Sequence, residues 1–259
     1  MKSFLIRCLM SNNIDFSIRG GQSASFRDKQ DLISREYFKR ISNKREKGIS
    51  AIYRVKNGST YLELSILSIA PLVSEIIVVD NNSTDNTVQI AKKLQSELKG
   101  ICDIKIYSYD ISPILAGEGY LDSVRNEPHR SLAKFYEYCF SKATQEYVMK
   151  CDAHYVFTPR ALDKIQRKLR NGPNILRFRG SEIFGRTLSL EPFIFKRTIN
   201  YKFVDDIHFE VLQFERPVRK TEFLRSTIIE PCFLHLKRLS YSKYINLDVK
   251  DKVTKALYK

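Results

Sequence analysis

Between residues 49 and 172 the apolar positions switch repeatedly between short continuous runs and three- or four-residue spacing, the mark of strands alternating with helices. Residues 49–55, ISAIYRV, read as a first strand. Asn57, Gly58 and Ser59 break it, Ser59 or Thr60 is placed to cap a helix running to Ile69, and Pro71 prevents its continuation. A second strand ends at Asp80. Ser83 or Thr84 is expected to cap the next helix, which puts Val88, Ala91, Leu94 and Leu98 on one face and stops at Gly100. Residues 104–109 read as a third strand. Leu132, Phe135, Tyr136, Cys139, Phe140 and Ala143 then mark a helix with a broad buried face, leading into a strand that ends at Asp152. Thr158 caps and Pro159 opens a further helix that turns Leu162, Ile165 and Leu169 inward and ends at Asn171 and Gly172. This order predicts an α/β domain with a mostly parallel central sheet covered on both faces. Beyond Gly172 the alternation is lost, which predicts a less regular part of the same domain rather than a second independent one.

Two strand ends carry the chemistry. In residues 76–87, IIVVDNNSTDNT, a run of β-formers closes on an acidic, hydroxyl-rich turn that starts a helix. Ligands of open α/β sheets bind outside the carboxyl ends of the strands, so Asp80 is expected on the floor of a groove. A carboxylate only accepts hydrogen bonds, which suits a ring imide or ribose hydroxyls better than a phosphate. The turn has neither the glycines of a dinucleotide fingerprint nor the Lys of a phosphate loop, which argues against a redox enzyme or an NTPase. The second end, YVMKCDAHYVF at residues 147–157, places Asp152 and His154 on either side of Ala153. Read as extended chain, these two side chains point the same way.

The order AIYRVKN, EIIVVDNNSTDNTVQIAKKL, EYVMKCDAHYVF resembles the family-2 glycosyltransferases of GT-A fold, over residues 49–157 with a weaker tail to His235. The resemblance implies a nucleotide-sugar-binding half at 49–157, an acceptor half at 158–236 and inverting sugar transfer, with residues 1–48 and 237–259 as basic extensions. It implies that Asp80 contacts the nucleoside, that Asn57, Asn82 and Arg125 join Asp152 around the donor, and that Asp152 with His154 stands where the family carries a D-x-D for a divalent metal. His235, in PCFLHLK, resembles the family's C-terminal histidine that closes over the diphosphate. One Asp with two His suits Mn²⁺ better than Mg²⁺. The general base is expected in VDDIHFE, the acidic cluster of the acceptor half, with Asp206 first, Glu210 second and Asp205 beside them. If that segment is helical, Asp206 and Glu210 share a face. The expected partners are a UDP-linked donor and a glycan or lipid-linked acceptor in surface-polysaccharide or lipopolysaccharide assembly. Loss of the second D-x-D carboxylate equally permits a catalytically inactive nucleotide-sugar-binding or scaffold protein.

Charge changes this picture more than composition does. The 259 residues carry a formal net charge of +15, with basic residues crowded at 39–48 and 237–259, so the surface attracts anions: a diphosphate, an anionic membrane face or nucleic acid. RNA-binding aromatic signatures and zinc spacing are missing, which argues against nucleic acid. No apolar run is long enough to span a bilayer and SFLIRCLM is short and interrupted by Arg7, so a cytoplasmic protein, peripheral at the inner membrane face, is expected. The five cysteines, Cys8, Cys102, Cys139, Cys151 and Cys232, are widely spaced and indicate neither a disulfide framework nor a zinc knuckle.

Overall fold

A computed structural model describes residues 38–39, 42–182, 187–215 and 220–237. One eight-stranded sheet organises them. Four neighbouring strands are parallel: β3 (Asp103–Ser108), β2 (Glu75–Asp80), β1 (Ile49–Val55) and β4 (Tyr147–Cys151). The sheet continues through β7 (Glu191–Lys196) and β6 (Ile175–Glu182), both paired antiparallel. It then adds β10 (Thr227–His235), parallel to β6, and ends on β5 (Tyr155–Phe157). A separate hairpin pairs β8 (Tyr201–Asp205) with β9 (Glu210–Phe214).

The parallel strands are joined by helices, as they must be, since only a crossover can bring the chain back to the same end of the sheet. These are α1 (Leu62–Ile69), α2 (Thr87–Glu97), α3 (Tyr120–Asn126) and α4 (Leu132–Ser141), followed by α5 (Pro159–Arg170) and the short α6 (Lys220–Arg225). Successive strand residues face opposite sides. Tyr53, Val55, Ile76 and Val78 join one buried cluster with α1, α2 and α5, while Ile52, Ile77 and Val79 join a second with α4 and the hairpin. All six residues of β2 are buried, as a central strand covered on both faces requires. Each large apolar side chain so buried contributes about 1.5–3 kcal/mol.

Several boundaries differ from expectation for identifiable reasons. Ser59 and Thr60 do not cap α1, whose cap position is Tyr61 with no side-chain bond. Helix α2 starts at Thr87 rather than after Ser83 or Thr84, because those hydroxyl residues are tied to Asn57; Asp85 takes the Thr87 N–H instead. Thr158 does cap α5, and Pro159 stands in its first turn. Beyond Gly172 the chain is more regular than its pattern suggests, since β6, β7 and β10 complete the main sheet. Residues before 49 are also partly integral: Phe38 and Ser42 are buried, and the Arg45 guanidinium donates to the carbonyls of Val73 and Ile101. Cys102, Cys139, Cys151 and Cys232 are buried free thiols, whereas Cys8 lies outside the described residues. Among the described residues no helix is long and apolar enough to cross a membrane.

Candidate active site

The register of the parallel strands brings the two acidic ends together. Val55 pairs with Asp80 and Tyr53 with Cys151, so Asp80 and Asp152 flank the end of β1 on either side. The turns after β1 and β2 are sewn into one unit. Asn57 N–H donates to Ser83 Oγ at 2.8 Å, Asn57 Oδ1 accepts from Thr84 N at 2.8 Å, and the N–H groups of Gly58 and Ser59 donate to Thr87 and Asp85. Asn57 and Asn82 both adopt φ of 53°, a left-handed conformation that Asn tolerates better than most residues. Their side chains serve these turns: Asn82 Nδ2 donates to the Asp110 carbonyl at 2.8 Å. Asp80 is different. Its Oδ2 accepts from Ser83 N at 3.2 Å, while Oδ1 is buried with no hydrogen-bond partner.

A cleft of about 440 Å³ opens over the ends of β1 and β4, lined by Arg54, Lys56, Asn57, Asp152, His154 and Lys237 among others. Gly58 belongs to its wall for steric reasons, since a Cβ there would lie 2.6 Å from Val55 Cγ1. On the cleft floor the Arg54 guanidinium donates from Nη2 to Asp152 Oδ1 at 2.5 Å and to the Cys151 carbonyl at 3.2 Å. It also lies 4.1 Å from the centre of the Tyr136 ring, a cation–π contact. Its side chain is 5% exposed, and Nε and Nη1 have no hydrogen-bond partner. Burial opposes the Arg54 charge, but Tyr136, Asp152 and Glu210 around it outweigh that effect and raise its pKa. Burial likewise opposes ionisation of Asp152, and Arg54 reverses it, holding the carboxyl well below the usual range. Tyr155 adds a hydrogen bond to the same carboxylate.

The segment after Asp152 is not extended. Residues 152–155 form a turn closed by Tyr155 N–H on the Asp152 carbonyl at 3.1 Å, so the same-side argument for Asp152 and His154 fails. His154 does meet His235, with ring centres 4.7 Å apart, because Leu236 N–H bonds the His154 carbonyl at 2.9 Å and pins the end of β10 there. Burial, with His154 next to it, pushes His235 down to about 4, which keeps its imidazole neutral at pH 7. Among the described residues no group of three or more His, Cys, Asp or Glu comes together so as to hold a metal ion. Asp152 and His154 thus line the cleft and His235 packs against His154, without the three making the expected ligand set, and the Asp152 carboxylate is already paired with Arg54.

On the far side of Arg54 stands the hairpin. VDDIHFE is a β-turn region rather than a helix, so Asp206 and Glu210 do not share a helical face; Asp205 instead pairs with Glu210 across the strands. The three carboxylates have separate lives. Asp205 accepts from the Tyr120 hydroxyl, from Ser131 Oγ at 2.6 Å and from Ala133 N at 3.2 Å, a structural role at the start of α4. Asp206 is exposed at the hairpin tip, where its N–H closes the turn on the Phe209 carbonyl at 2.9 Å. Glu210 points inward, hydrogen-bonded by Tyr136 and close to Arg54; burial raises its pKa, with Arg54 acting in the opposite direction. Arg125, expected near the diphosphate, has a side chain 69% exposed that pairs with Asp122 at 2.9 Å on α3. Sequence reading missed Arg54 and Tyr136 as a site pair. The available signal was an Arg inside the otherwise apolar strand ISAIYRV.

A family model described as Glycosyl transferase family 2 matches residues 50–107, from β1 to the end of β3. Over this segment the chain is similar to glycosyl transferase family 2. The matched segment contains Arg54, Asn57 and Asp80, while Asp152 and the hairpin lie beyond it. Similar solved structures include S. aureus TarS 1-349 in complex with UDP-GlcNAc, 20% identical over 55% of this chain and 37% of that one, with a TM-score of 0.41. S. aureus TarS 1-349 is 14% identical over 76% of this chain and 62% of that one, at 0.47. The mannosyltransferase PcManGT from Pyrobaculum calidifontis in complex with GDP-Man and Mn²⁺ is 14% identical over 70% of this chain and 48% of that one, at 0.38. The chain thus spans less than two thirds of the length of each of these. A search of curated proteins finds no match to it.

Proposed function

We propose that this chain transfers a sugar, with inversion, from a nucleotide-sugar donor to the hydroxyl of a glycan or lipid-linked acceptor, in the assembly of a surface polysaccharide or lipopolysaccharide. The observation that carries the reading is the cleft where the family-2 segment meets Asp152, with Asp80 one strand away and Glu210 across Arg54. The unpartnered Asp80 oxygen suits the ring N–H of a nucleobase such as uracil, and we take the donor to be UDP-linked. Glu210 is our choice of general base over Asp206, because it is withdrawn from solvent beside Arg54, which lines the cleft, and its raised pKa suits proton uptake. In a single displacement the acceptor oxygen bonds to the anomeric carbon as its proton passes to Glu210. The bond from that carbon to the donor phosphate oxygen breaks, and its electron pair leaves with the nucleoside diphosphate.

Calorimetric titration of UDP and GDP into wild type and Asp80→Ala tests the donor reading. Wild type should bind UDP, and Asp80→Ala should weaken it roughly tenfold or more, the loss of a charge-assisted hydrogen bond, while the melting temperature stays close to that of wild type. Unchanged UDP affinity in a folded Asp80→Ala protein removes Asp80 from nucleoside recognition.

A further inference from the structure

We propose that the cation opposing the departing diphosphate is built into the protein: Arg54, clamped by Asp152 on the cleft floor, takes the place of a divalent ion. The inference rests on the donor-site reading above and makes it more specific. Three observations converge. The carboxylate best placed to ligate a metal is spent, since Asp152 Oδ1 lies 2.5 Å from Arg54 Nη2. The partner position that would complete a metal pair is His154, turned away from extended geometry by the 152–155 turn, and among the described residues no group of three or more His, Cys, Asp or Glu comes together there. The cleft already holds cations beside that carboxylate, since Arg54 and Lys56 line it together with Asp152.

Arg54 is suited to the task in a way an exposed lysine is not. Its position is over-determined by Asp152, the Cys151 carbonyl and the Tyr136 ring, so little reorganisation is needed as charge builds on the leaving group. Two of its nitrogens, Nε and Nη1, have no hydrogen-bond partner despite being buried. Because the guanidinium also neighbours Glu210, one buried cation lies between the leaving-group side and the base side of the reaction. Asp152 on this account is a positioning residue, holding the guanidinium rather than a metal.

The test is titration of UDP and GDP into the full chain, once in excess EDTA and once with Mn²⁺. Affinity for the preferred nucleotide should agree within about twofold between the two conditions. Affinity that falls tenfold or more in EDTA and returns with Mn²⁺ overturns the proposal and leaves the donor reading standing. No binding of either nucleotide in either condition overturns the donor reading itself. Arg54→Gln strands Asp152 and can unfold the chain, so the informative variants are Arg54→Lys, which keeps a charge but loses the fork, and Lys56→Met at the exposed rim. Arg54→Lys should lose roughly tenfold in UDP affinity without rescue by Mn²⁺, and Lys56→Met should lose severalfold with a weaker salt dependence. Wild-type affinity in both variants, each folded by circular dichroism, overturns the assignment.

Discussion

Glu210 and Asp206 lie four positions apart in one acidic run, yet only Glu210 is withdrawn from solvent and in contact with the cleft through Tyr136 and Arg54. Composition could name both and rank neither, because the ranking depends on a hairpin that leaves Asp206 exposed in its turn and sets Glu210 in the first strand position after it. We expect Glu210→Gln to lower turnover by ~100- to 10,000-fold with UDP affinity nearly intact, since the lost group acts on the acceptor proton in the transition state. Asp206→Asn should stay within about threefold of wild type. The pH profile gives an independent check. A base works only when deprotonated, so kcat/KM should fall as pH drops through the Glu210 pKa. Burial raises that pKa, placing the acid limb above the ordinary glutamate value of about 4.3. A limb that persists unchanged in Glu210→Gln assigns the base to another group.

At the scale of elements, the first half of the fold was legible because its helices and strands have clean periods: the expected strand 49–55 is β1, and the cap and first turn of α5 are where Thr158 and Pro159 put them. The turns were less legible. Ser83 and Thr84 have the chemistry of caps but bond to Asn57, a residue 26 or 27 positions away, and no local rule anticipates a side chain claimed by a neighbouring turn. The same holds for Asp205, which local sequence offers as an acid–base candidate and tertiary structure assigns to α4. Ser131 caps that helix conventionally by accepting from Lys134 N, while Asp205 accepts from Ser131 Oγ, Ala133 N and the Tyr120 hydroxyl, tying α3, α4 and β8 together. Asp205→Ala should therefore cost about 1–3 kcal/mol of stability, through the lost bonds and the donors left unpaired. Denaturant titration should show the midpoint falling at unchanged slope. In the same variant UDP affinity should match wild type; a folded Asp205→Ala protein of wild-type stability would return this residue to the list of base candidates.

For the whole molecule the dominant property is charge, and the fold accounts for only part of the +15. Arg45 is spent on backbone carbonyls, Lys105 on Glu75 and Lys164 on Glu230, so these cations serve the structure, while Arg54, held by Asp152, serves the cleft. The basic C-terminal segment lies outside the described residues except for Lys237, at the cleft rim. From 237 to 259 it carries seven Lys or Arg against Asp248 and Asp251, with Leu247, Val249, Val253, Ala256 and Leu257 interleaved. We propose that it brings the chain to an anionic membrane where a lipid-linked acceptor would reside. Each basic residue near such a surface contributes about 1 kcal/mol, enough together for reversible attachment that salt weakens. Co-sedimentation with vesicles containing phosphatidylserine, compared with neutral vesicles, should pellet the full chain at low ionic strength and release it as salt rises. A truncation after Leu236 should stay in the supernatant. If the truncated chain pellets as well as the full one, the attachment belongs to the folded body and not to this segment.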